Sequence, residues 1–412
     1  MTELLVRKTV HRSNVPMRLD RPTPVRPRLA SRADRLVSSA IRDLLHLAER
    51  PEVLSLAGGL PDGSTFPVER VAVAAERALR SLGRYGSPSL QYGATEGLAQ
   101  FREWAAPGSA VHAPCERPEH VLVTTGSQQG LDLLARTLVD AGDVAVVEDP
   151  VYLGARQVLL AAGARLVGVP VDRDGIDVED LAARLRDGLR PRLVYTVPHF
   201  QNPTGAVLSS DRRARLARLA EQYGFVIVED DPYVALSFDG VRLESLGSLA
   251  PDHVVTLASA SKVLSPGIRV GWLRAPEWLY RSLVLAKQAV DLHTATLTQF
   301  IALDVLSDDT FMRGHLAALR ATYAAKGSAL HQALGGLFDT KAPRGGMFLW
   351  GHAARDTSDA FADAIAAGVA YVPGVAFGVD IDRSRALRLA YATLDVDALR
   401  DAATRLRRVF NE

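Results

Sequence analysis

The part of the chain with the most evident chemistry is a lysine that follows a β-branched strand. Lys262 closes the run Ser259-Ala260-Ser261-Lys262, and Arg269 comes seven residues later. A lysine amine forms a Schiff base with an aldehyde more readily when burial or neighbouring cations lower its pKa. The guanidinium of Arg269 can bind a phosphate through two hydrogen bonds, and Ser259 and Ser261 add short donors. This spacing predicts a site for an aldehyde that carries a phosphate, although Ser-x-Ser-Lys is also a common surface sequence.

Two other apolar runs end in polar residues that suit the same ligand. One leads into Asp230, followed by Asp231, Pro232 and Tyr233. A carboxylate at a strand end can pair with a protonated pyridine nitrogen, and Tyr233 could reach a phenolic oxygen on the ring. The other run breaks into a turn that carries the amide of Asn202. Asp-Pro and Asn-Pro-Thr-Gly are ordinary turn sequences too, but three successive polar strand ends favour one shared site.

A further candidate lies where a strand leads into a helix. Thr125-Gly126-Ser127-Gln128 follows such a strand, and the first amides of a helix have no internal hydrogen-bond partners. Ser127 by itself is most simply a helix N-cap. Together with the lysine motif, the pattern favours a phosphate cradle, which comprises Ser127, Gln128, Ser259, Ser261 and Arg269.

The elements that would position these residues alternate between short apolar runs and amphipathic stretches. Strands are predicted at 121–124, 144–147, 165–169, 193–197, 226–228, 254–257 and 270–273, and helices at 38–48, 67–82, 128–141, 154–162, 178–189 and 210–222. Such alternation predicts a mostly parallel seven-stranded sheet with helices on both faces. Ligands of such sheets bind beyond the carboxyl ends of the strands, where the polar clusters fall.

With these motifs the chain resembles the class I/II aminotransferases, which are pyridoxal-phosphate enzymes of fold type I. It is most similar to the branch of 2-aminoadipate and valine-pyruvate aminotransferases and the related regulators. The resemblance covers nearly the whole chain from about residue 32. Its marks are Gly58-Gly59-Leu60-Pro61, Gln91-Tyr92-Gly93, Thr125-Gly126-Ser127-Gln128, Gln201-Asn202-Pro203-Thr204-Gly205, the Lys262 motif, Gly345-Gly346-Met347-Phe348-Leu349-Trp350, Val372-Pro373-Gly374 and Leu387-Arg388-Leu389.

The resemblance implies roles for these residues. Lys262 would hold pyridoxal 5′-phosphate as an aldimine and later move a proton during ping-pong transfer of an amino group from an L-α-amino acid to a 2-oxo acid. Asp230 would pair with the ring nitrogen, Tyr233 and Asn202 would bind the ring oxygen, and the aromatic ring of Tyr152 would stack on the cofactor.

The resemblance also implies how the substrate is bound and how chains assemble. Arg388 would bind the substrate α-carboxylate, with help from Asn202 and the backbone near Gly59. Tyr92 would reach the phosphate of the partner subunit, so a homodimer with shared sites is expected. Arg42 occupies the place where relatives that act on aminoadipate bind a distal carboxylate, although a solvated helix residue is an equal interpretation.

For domain organisation, the resemblance implies a three-layer α/β/α large domain and a small α+β domain built from both chain ends. The predicted segments are a flexible arm at 1–30, a segment at 31–75 that joins the small domain, a large cofactor-binding domain at 76–300 and a small C-terminal domain at 301–412. Two long helices are expected after residue 275.

Composition narrows the alternatives. The net charge of +1 over 412 residues gives no indication of a nucleic-acid partner. A single cysteine, Cys115, excludes a disulfide framework and an all-thiolate metal site within one chain, and no metal is expected. No secretory signal core and no run of about 20 apolar residues occurs, which predicts a cytoplasmic protein without a membrane segment.

The identity of the substrate remains open at this stage. His199 stands where relatives carry a small polar residue, and it could line the pocket. The stretch after Phe377 is shorter than in relatives, which hints at a specialised substrate such as a basic or cyclic amino acid of a biosynthetic pathway. The same residues would also suit a pyridoxal-phosphate-dependent oxidase, hydroxylase, lyase or cyclase. A non-catalytic sensor is a third interpretation, but it normally carries a DNA-binding module, for which about 35 leading residues are too few.

Overall fold

A computed structural model provides the structure of the chain and describes residues 28–30, 33, 50–84, 86–108, 117–240 and 242–411. Arg42, the predicted helix at 38–48 and Cys115 lie outside these residues. No helix in the described ranges is both long enough and apolar enough to cross a lipid bilayer.

The strands of the described ranges agree closely with the predicted ones. In chain order they are β1 (Leu54–Ser55), β2 (Val121–Thr124), β3 (Val144–Asp149), β4 (Arg165–Asp172), β5 (Gly175–Ile176), β6 (Leu193–Thr196), β7 (Val226–Asp230), β8 (Val254–Ser259), β9 (Gly271–Arg274), β10 (Phe348–His352), β11 (Val369–Ala370), β12 (Val372–Pro373) and β13 (Ala386–Ala390).

The helices of the same ranges separate these strands. They are α1 (Val68–Arg80), α2 (Ala99–Ala105), α3 (Ser127–Leu138), α4 (Leu153–Ala162), α5 (Val178–Arg186), α6 (Ser210–Tyr223), α7 (Leu246–Leu249), α8 (Glu277–Asp291), α9 (Thr296–Leu306), α10 (Asp309–Leu334), α11 (Phe361–Ala366) and α12 (Val396–Asn411). After residue 275 the chain forms three consecutive helices, α8 to α10, where two were predicted.

The central sheet has the strand order β2-β9-β8-β7-β6-β3-β4-β5. The five strands from β8 to β4 pair in parallel, whereas β9 is antiparallel to both β2 and β8. Every residue of β6 and β7 is buried, as expected for strands covered on both faces by helices. The predicted α/β fold class is therefore confirmed.

One edge of the central sheet was not predicted. All seven predicted strands lie in it, but an eighth, β5, pairs antiparallel with the end of β4. This strand has only two residues, Gly175 and Ile176, so it is too short to show an alternating pattern in the sequence.

A smaller unit combines residues from both ends of the described chain. Strands β10, β13 and β12 form an antiparallel sheet, and β1 pairs in parallel with β11. The pairing of β1 with β11 brings the segment around Leu54 next to Val369. The predicted boundaries at residues 30, 75 and 300 stay a prediction, because strand pairing alone does not delimit domains.

A buried carboxylate ties the small unit to the central sheet. Asp149, at the end of β3, accepts hydrogen bonds from the backbone amides of Asp380 and Ile381 at 2.8 and 2.9 Å. It also forms an ion pair with Arg383 at 3.2 Å. These residues belong to the short stretch after Phe377, so this stretch serves as a tether between the two units.

Candidate active site

The carboxyl ends of β6, β7 and β8 open into a cavity of about 280 Å³. Because these strands are neighbours and parallel, the polar residues that follow them meet at one edge of the sheet. The cavity is lined by twelve of the predicted site residues, namely Gly59, Ser127, Gln128, Tyr152, Asn202, Asp230, Tyr233, Ser259, Ser261, Lys262, Arg269 and Arg388. The structure thus gathers into one site residues from distant parts of the sequence.

Lys262 ends a short 3-10 turn, Ala260–Lys262, that directly follows β8. Its Nζ donates a hydrogen bond to the carbonyl oxygen of Gly59 at 3.2 Å. Burial, together with the positive charges of Arg388 and Arg269, lowers the pKa of Lys262 to about 8. An amine with this pKa has a substantial neutral fraction near neutral pH, and the neutral form is the nucleophile.

Asp230 is the last residue of β7 and is buried. One of its carboxylate oxygens, Oδ2, accepts a hydrogen bond of 2.8 Å from the hydroxyl of Tyr195. The other oxygen, Oδ1, is buried without a hydrogen-bond partner among the described residues. Burial raises the pKa of Asp230 to about 7. A buried oxygen without a partner is costly, so its position on the cavity wall indicates a ligand that donates a hydrogen bond there.

Arg388 lies in the middle of β13 with 2% of its surface exposed. Its Nη1 donates to Oδ1 of Asn202 at 2.9 Å and its Nη2 donates to the carbonyl oxygen of Ala57 at 2.6 Å. The rings of Phe348 and Phe377 lie 4.4 and 5.1 Å from the guanidinium carbon. Burial lowers the pKa of Arg388 to about 10. Within the described part of the chain this cation has no carboxylate partner, so it is prepared to bind an anion from the cavity.

The turn that carries Asn202 is fixed by a second buried carboxylate. Glu148 accepts hydrogen bonds from Thr196 at 2.6 Å and from the side-chain amide of Gln201 at 3.0 Å. Gln201 in turn accepts from the backbone amide of Thr204 at 2.9 Å. Burial raises the pKa of Tyr233, and the nearby side chain of Asn202 acts in the opposite direction. Asn202 therefore connects the arginine with a tyrosine on the cavity wall.

Several hydrogen-bond donors lie together at the other end of the cavity. Ser127 begins α3, directly after Gly126, whose φ of 82° is accessible to glycine at low cost. Nη2 of Arg269 donates to the carbonyl oxygen of Thr125 at 3.2 Å. A Cβ atom on residue 126 would lie only 2.6 Å from this Nη2, so Gly126 leaves room for the guanidinium. The hydroxyls of Ser259 and Ser261 hydrogen-bond each other at 2.9 Å. A helix start, three hydroxyls and a guanidinium together suit a phosphate.

An ion pair between a buried lysine and a half-buried aspartate supports this phosphate cradle from behind. Nζ of Lys287, a residue with no exposed surface, donates to Asp291 at 2.9 Å and to Oε1 of Gln129 at 2.9 Å. The same Oε1 accepts from the backbone amide of Thr125 at 2.8 Å. Nε2 of Gln129 donates to Asp291 at 2.6 Å. The cluster therefore fixes the loop that leads into α3.

Two of the described candidates, Tyr92 and His199, do not line this cavity. The side chain of Tyr92 is 79% exposed and packs edge-on against His293. His199 is buried, with Nδ1 2.9 Å from Asp231 and Nε2 3.2 Å from Arg213, and it lines a neighbouring cavity instead. Asp231, the partner of His199, is itself buried. Arg42 lies outside the described residues.

Sequence reasoning overlooked residues that complete the site. Tyr195 and Phe348 both line the cavity, and the carbonyl oxygen of Ala57 orients Arg388. Tyrosine and phenylalanine within apolar strands are indistinguishable from core residues in one sequence. The one available indication for Tyr195 was a hydroxyl within an otherwise apolar strand, because a buried hydroxyl requires a partner.

Comparison with known proteins gives a consistent result. Residues 51–406 match the model of the family described as aminotransferase class I and II. A 2-aminoadipate transaminase from Thermus thermophilus is 40% identical over 91% of this chain and 94% of its own length. An aromatic-amino-acid aminotransferase from Thermococcus litoralis is 36% identical over 91% of this chain and 92% of its own length.

Solved structures give the same picture. The crystal structure of LysN, an α-aminoadipate aminotransferase from Thermus thermophilus complexed with N-(5′-phosphopyridoxyl)-L-leucine, superposes with a TM-score of 0.84. The two chains are 38% identical, and the match covers 93% of this chain and 97% of the other.

Proposed function

The chain belongs to the class I and II aminotransferases and is an aminotransferase, and from that premise we propose that it uses pyridoxal 5′-phosphate, held in the cavity around Lys262. Its substrates are an amino acid and a 2-oxo acid, as for its relatives. The observation that carries the proposal is the joint presence of an amine of lowered pKa, an unpartnered carboxylate oxygen and an unpaired guanidinium in one cavity of the described chain.

The residues present fit this cofactor at both of its ends. The unpartnered Oδ1 of Asp230 suits a protonated ring nitrogen, which would satisfy a buried acceptor that has no partner among the described residues. The cradle of Ser127, Ser259, Ser261 and Arg269 suits a phosphate dianion. A Cβ atom on Gly271 would lie 2.8 Å from the backbone nitrogen of Ser127, so a larger residue there would displace the cradle.

Pyridoxal phosphate supplies an aldehyde that condenses with amines and a protonated ring that withdraws electrons from the substrate α-carbon. In our proposal Lys262 would hold the aldehyde, and its amine, when free, would move a proton as a base. Asp230 would accept a hydrogen bond from the ring nitrogen and keep it protonated. Asn202 and Tyr233 would hold the ring oxygen, Tyr152 would pack against the ring, and Gln128 would belong to the phosphate cradle.

Arg388 binds the substrate α-carboxylate in this proposal. The rings of Phe348 and Phe377 lie close to its guanidinium and restrict the directions from which a ligand can approach it. Asn202 and the carbonyl oxygen of Ala57 hold the guanidinium in one orientation. A substrate held in this way would have its α-carbon near Lys262, since the charge of Arg388 already lowers the pKa of that lysine. Gly59 contributes through its carbonyl oxygen, which binds Nζ of Lys262.

The proposed link between cofactor and Lys262 can be tested by chemical trapping. Sodium borohydride reduces the carbon–nitrogen double bond that a lysine forms with the aldehyde, which leaves a stable phosphopyridoxyl label. Peptide mapping by mass spectrometry should find this label on Lys262. The other buried lysines, Lys287 and Lys326, serve as internal controls and should be unlabelled. A label on either of them, or no label at all, would contradict the proposal.

We further propose that two chains share their active sites through Tyr92. Tyr92 is exposed, and so is Leu90, two residues before it. Adjoining exposed apolar side chains are typical of a contact surface. A place in the cytoplasm and a role for Arg42 stay predictions.

Co-expression of two inactive variants tests the shared site. A dimer of Lys262→Ala with Tyr92→Ala has one site in which both residues are intact, since Lys262 and Tyr92 of that site come from different chains. We expect the mixed dimers to be more active than either variant alone, with tagged chains purified in tandem to isolate them. Activity that never exceeds that of the Tyr92→Ala dimer would contradict shared sites.

The ion pair behind the cradle yields a further prediction. Lys287→Met keeps the length of the side chain but leaves the half-buried Asp291 without its cation, so the loop before α3 loses its anchor. Breaking a fully buried pair typically costs about 3–5 kcal/mol of stability, and this partly exposed pair should cost less. We expect the affinity for pyridoxal phosphate, measured by equilibrium binding, to fall about tenfold, a change of about 1.4 kcal/mol.

A matched control for this variant is Lys326→Met. Lys326 is also a buried lysine paired with an aspartate, Asp62, but that pair lies outside the phosphate cradle. The Lys326→Met variant should lose at least as much stability and keep its cofactor affinity unchanged. Equal losses of cofactor affinity in both variants would show that the effect is general destabilisation.

A further inference from the structure

Tyr195 is a buried residue to which the proposed chemistry gives no role. It lies in β6, has no exposed surface and is directed to the same side of the sheet as Asp230, because the register pairs Tyr195 with Val228 and side chains alternate along a strand. The hydroxyl of Tyr195 donates to Oδ2 of Asp230 at 2.8 Å.

Because of this hydrogen bond, the two carboxylate oxygens of Asp230 have different surroundings. Oδ2 is held by Tyr195, whereas Oδ1 is the buried oxygen without a partner in the described chain. A carboxylate with one oxygen fixed cannot rotate freely about its last side-chain bond. The free oxygen therefore keeps a constant position on the wall of the cavity, which Tyr195 also lines.

Given the proposed function, we infer that Tyr195 is a positioning residue for amino transfer: its hydroxyl orients Asp230 toward the cofactor's ring nitrogen and keeps the shared proton on that nitrogen. A hydrogen-bond donor stabilises the ionised form of a carboxyl group. Without that donor, the carboxyl group competes more strongly with the ring nitrogen for the proton. Loss of the ring proton weakens electron withdrawal from the substrate, because the positive ring charge is the source of that withdrawal.

The surroundings of Asp230 make this donor important. Burial and the neighbouring charge of Asp231 raise the pKa of Asp230, whereas the hydroxyl of Tyr195 and the charge of Lys262 lower it. The titratable groups that act on Asp230 or respond to it are Asp231, Lys262, Glu148, Tyr152, Tyr195 and Tyr233. Of the neutral groups in this described set, Tyr195 is the one that donates directly to the carboxylate.

The test is Tyr195→Phe in the cofactor-loaded enzyme, which removes one hydroxyl and keeps the ring. The nitrogen-15 NMR shift of ring-labelled pyridoxal phosphate reports whether the ring nitrogen is protonated. We expect the wild-type shift to indicate a protonated nitrogen and the variant to move toward the neutral value. The turnover number should fall about tenfold at unchanged KM, because substrate binding does not involve Tyr195.

The matched control is Tyr371→Phe. Tyr371 is equally buried and donates its hydroxyl to the carbonyl oxygen of Thr357 at 2.5 Å, away from the cavity. The Tyr371→Phe variant should lose stability but keep the wild-type nitrogen-15 shift of the cofactor ring and the wild-type turnover number. Equal ring shifts and equal rates in Tyr195→Phe and Tyr371→Phe would overturn the inference.

Two outcomes separate this inference from the proposed function. If borohydride treatment of the wild-type enzyme leaves Lys262 without a label, the proposed function itself fails. If Lys262 is labelled but Tyr195→Phe leaves the ring protonated, only the role of Tyr195 fails. Should Tyr195→Phe not fold, 3-fluorotyrosine at position 195 provides a stronger donor in nearly the same volume. It should hold the ring proton to higher pH, and an unchanged titration would overturn the inference.

Discussion

Replacing Lys262 by alanine is expected to lower the turnover number by at least about a thousandfold, because a positioned acid–base group alone contributes about 10²–10⁴. The variant also loses the amine that binds the cofactor aldehyde. Ser259, Ser261 and Arg269 remain, so cofactor should still bind, but without a covalent link. Steady-state kinetics and borohydride trapping measure the two effects separately.

The control for this variant is Lys341→Ala, which removes an exposed lysine outside the cavity. It should retain the wild-type rate and the label. A Lys262→Ala enzyme that still turns over amino acids at more than about one per cent of the wild-type rate would sink the assignment of Lys262 as the acid–base group.

Replacing Arg388 by lysine is expected to lower kcat/KM for amino acids about a hundredfold. Lysine keeps the charge but loses the planar pair of donors that the carboxylate requires. A hundredfold corresponds to about 2.7 kcal/mol, which is within the range for truncating one partner of a buried charge pair. The substitution also removes the guanidinium that packs against Phe348 and Phe377. The stability of the variant should therefore be measured by thermal unfolding alongside its kinetics.

The substrate provides the control for this second variant. An amine analogue that lacks the α-carboxylate has nothing for Arg388 to bind, so wild type and Arg388→Lys should convert it at similar rates. The difference between the two substrates isolates the contact between arginine and carboxylate. An equal loss for both substrates would show that Arg388 maintains the cavity and does not bind the carboxylate.

Much of the fold follows from patterns that a single sequence contains. The buried strands β6, β7 and β8 are short apolar runs, and each is followed by polar residues that mark its carboxyl end. Arg388 stood out as a cation between two leucines, Leu387 and Leu389. These features are local, so they are visible before the chain is folded.

Other parts of the site depend on contacts between distant residues. Lys287 and Gln129 are 158 positions apart, and neither side chain indicates the other. The pairing of His199 with Asp231 joins two residues that lie 32 positions apart in the sequence. Tyr195 has the pattern of a core residue, and its partner Asp230 becomes evident only when β6 and β7 lie side by side. Such contacts are properties of the packed structure.

The measurement that tests the central claim most directly is a half-reaction. Cofactor-loaded enzyme is mixed with a panel of L-amino acids without any 2-oxo acid, once in air and once under nitrogen. The account predicts that at least one amino acid converts the bound cofactor to its amine form in both gases, with one 2-oxo acid released per site. Consumption of oxygen, or a reaction that occurs only in air, would contradict amino transfer as the chemistry of this cavity.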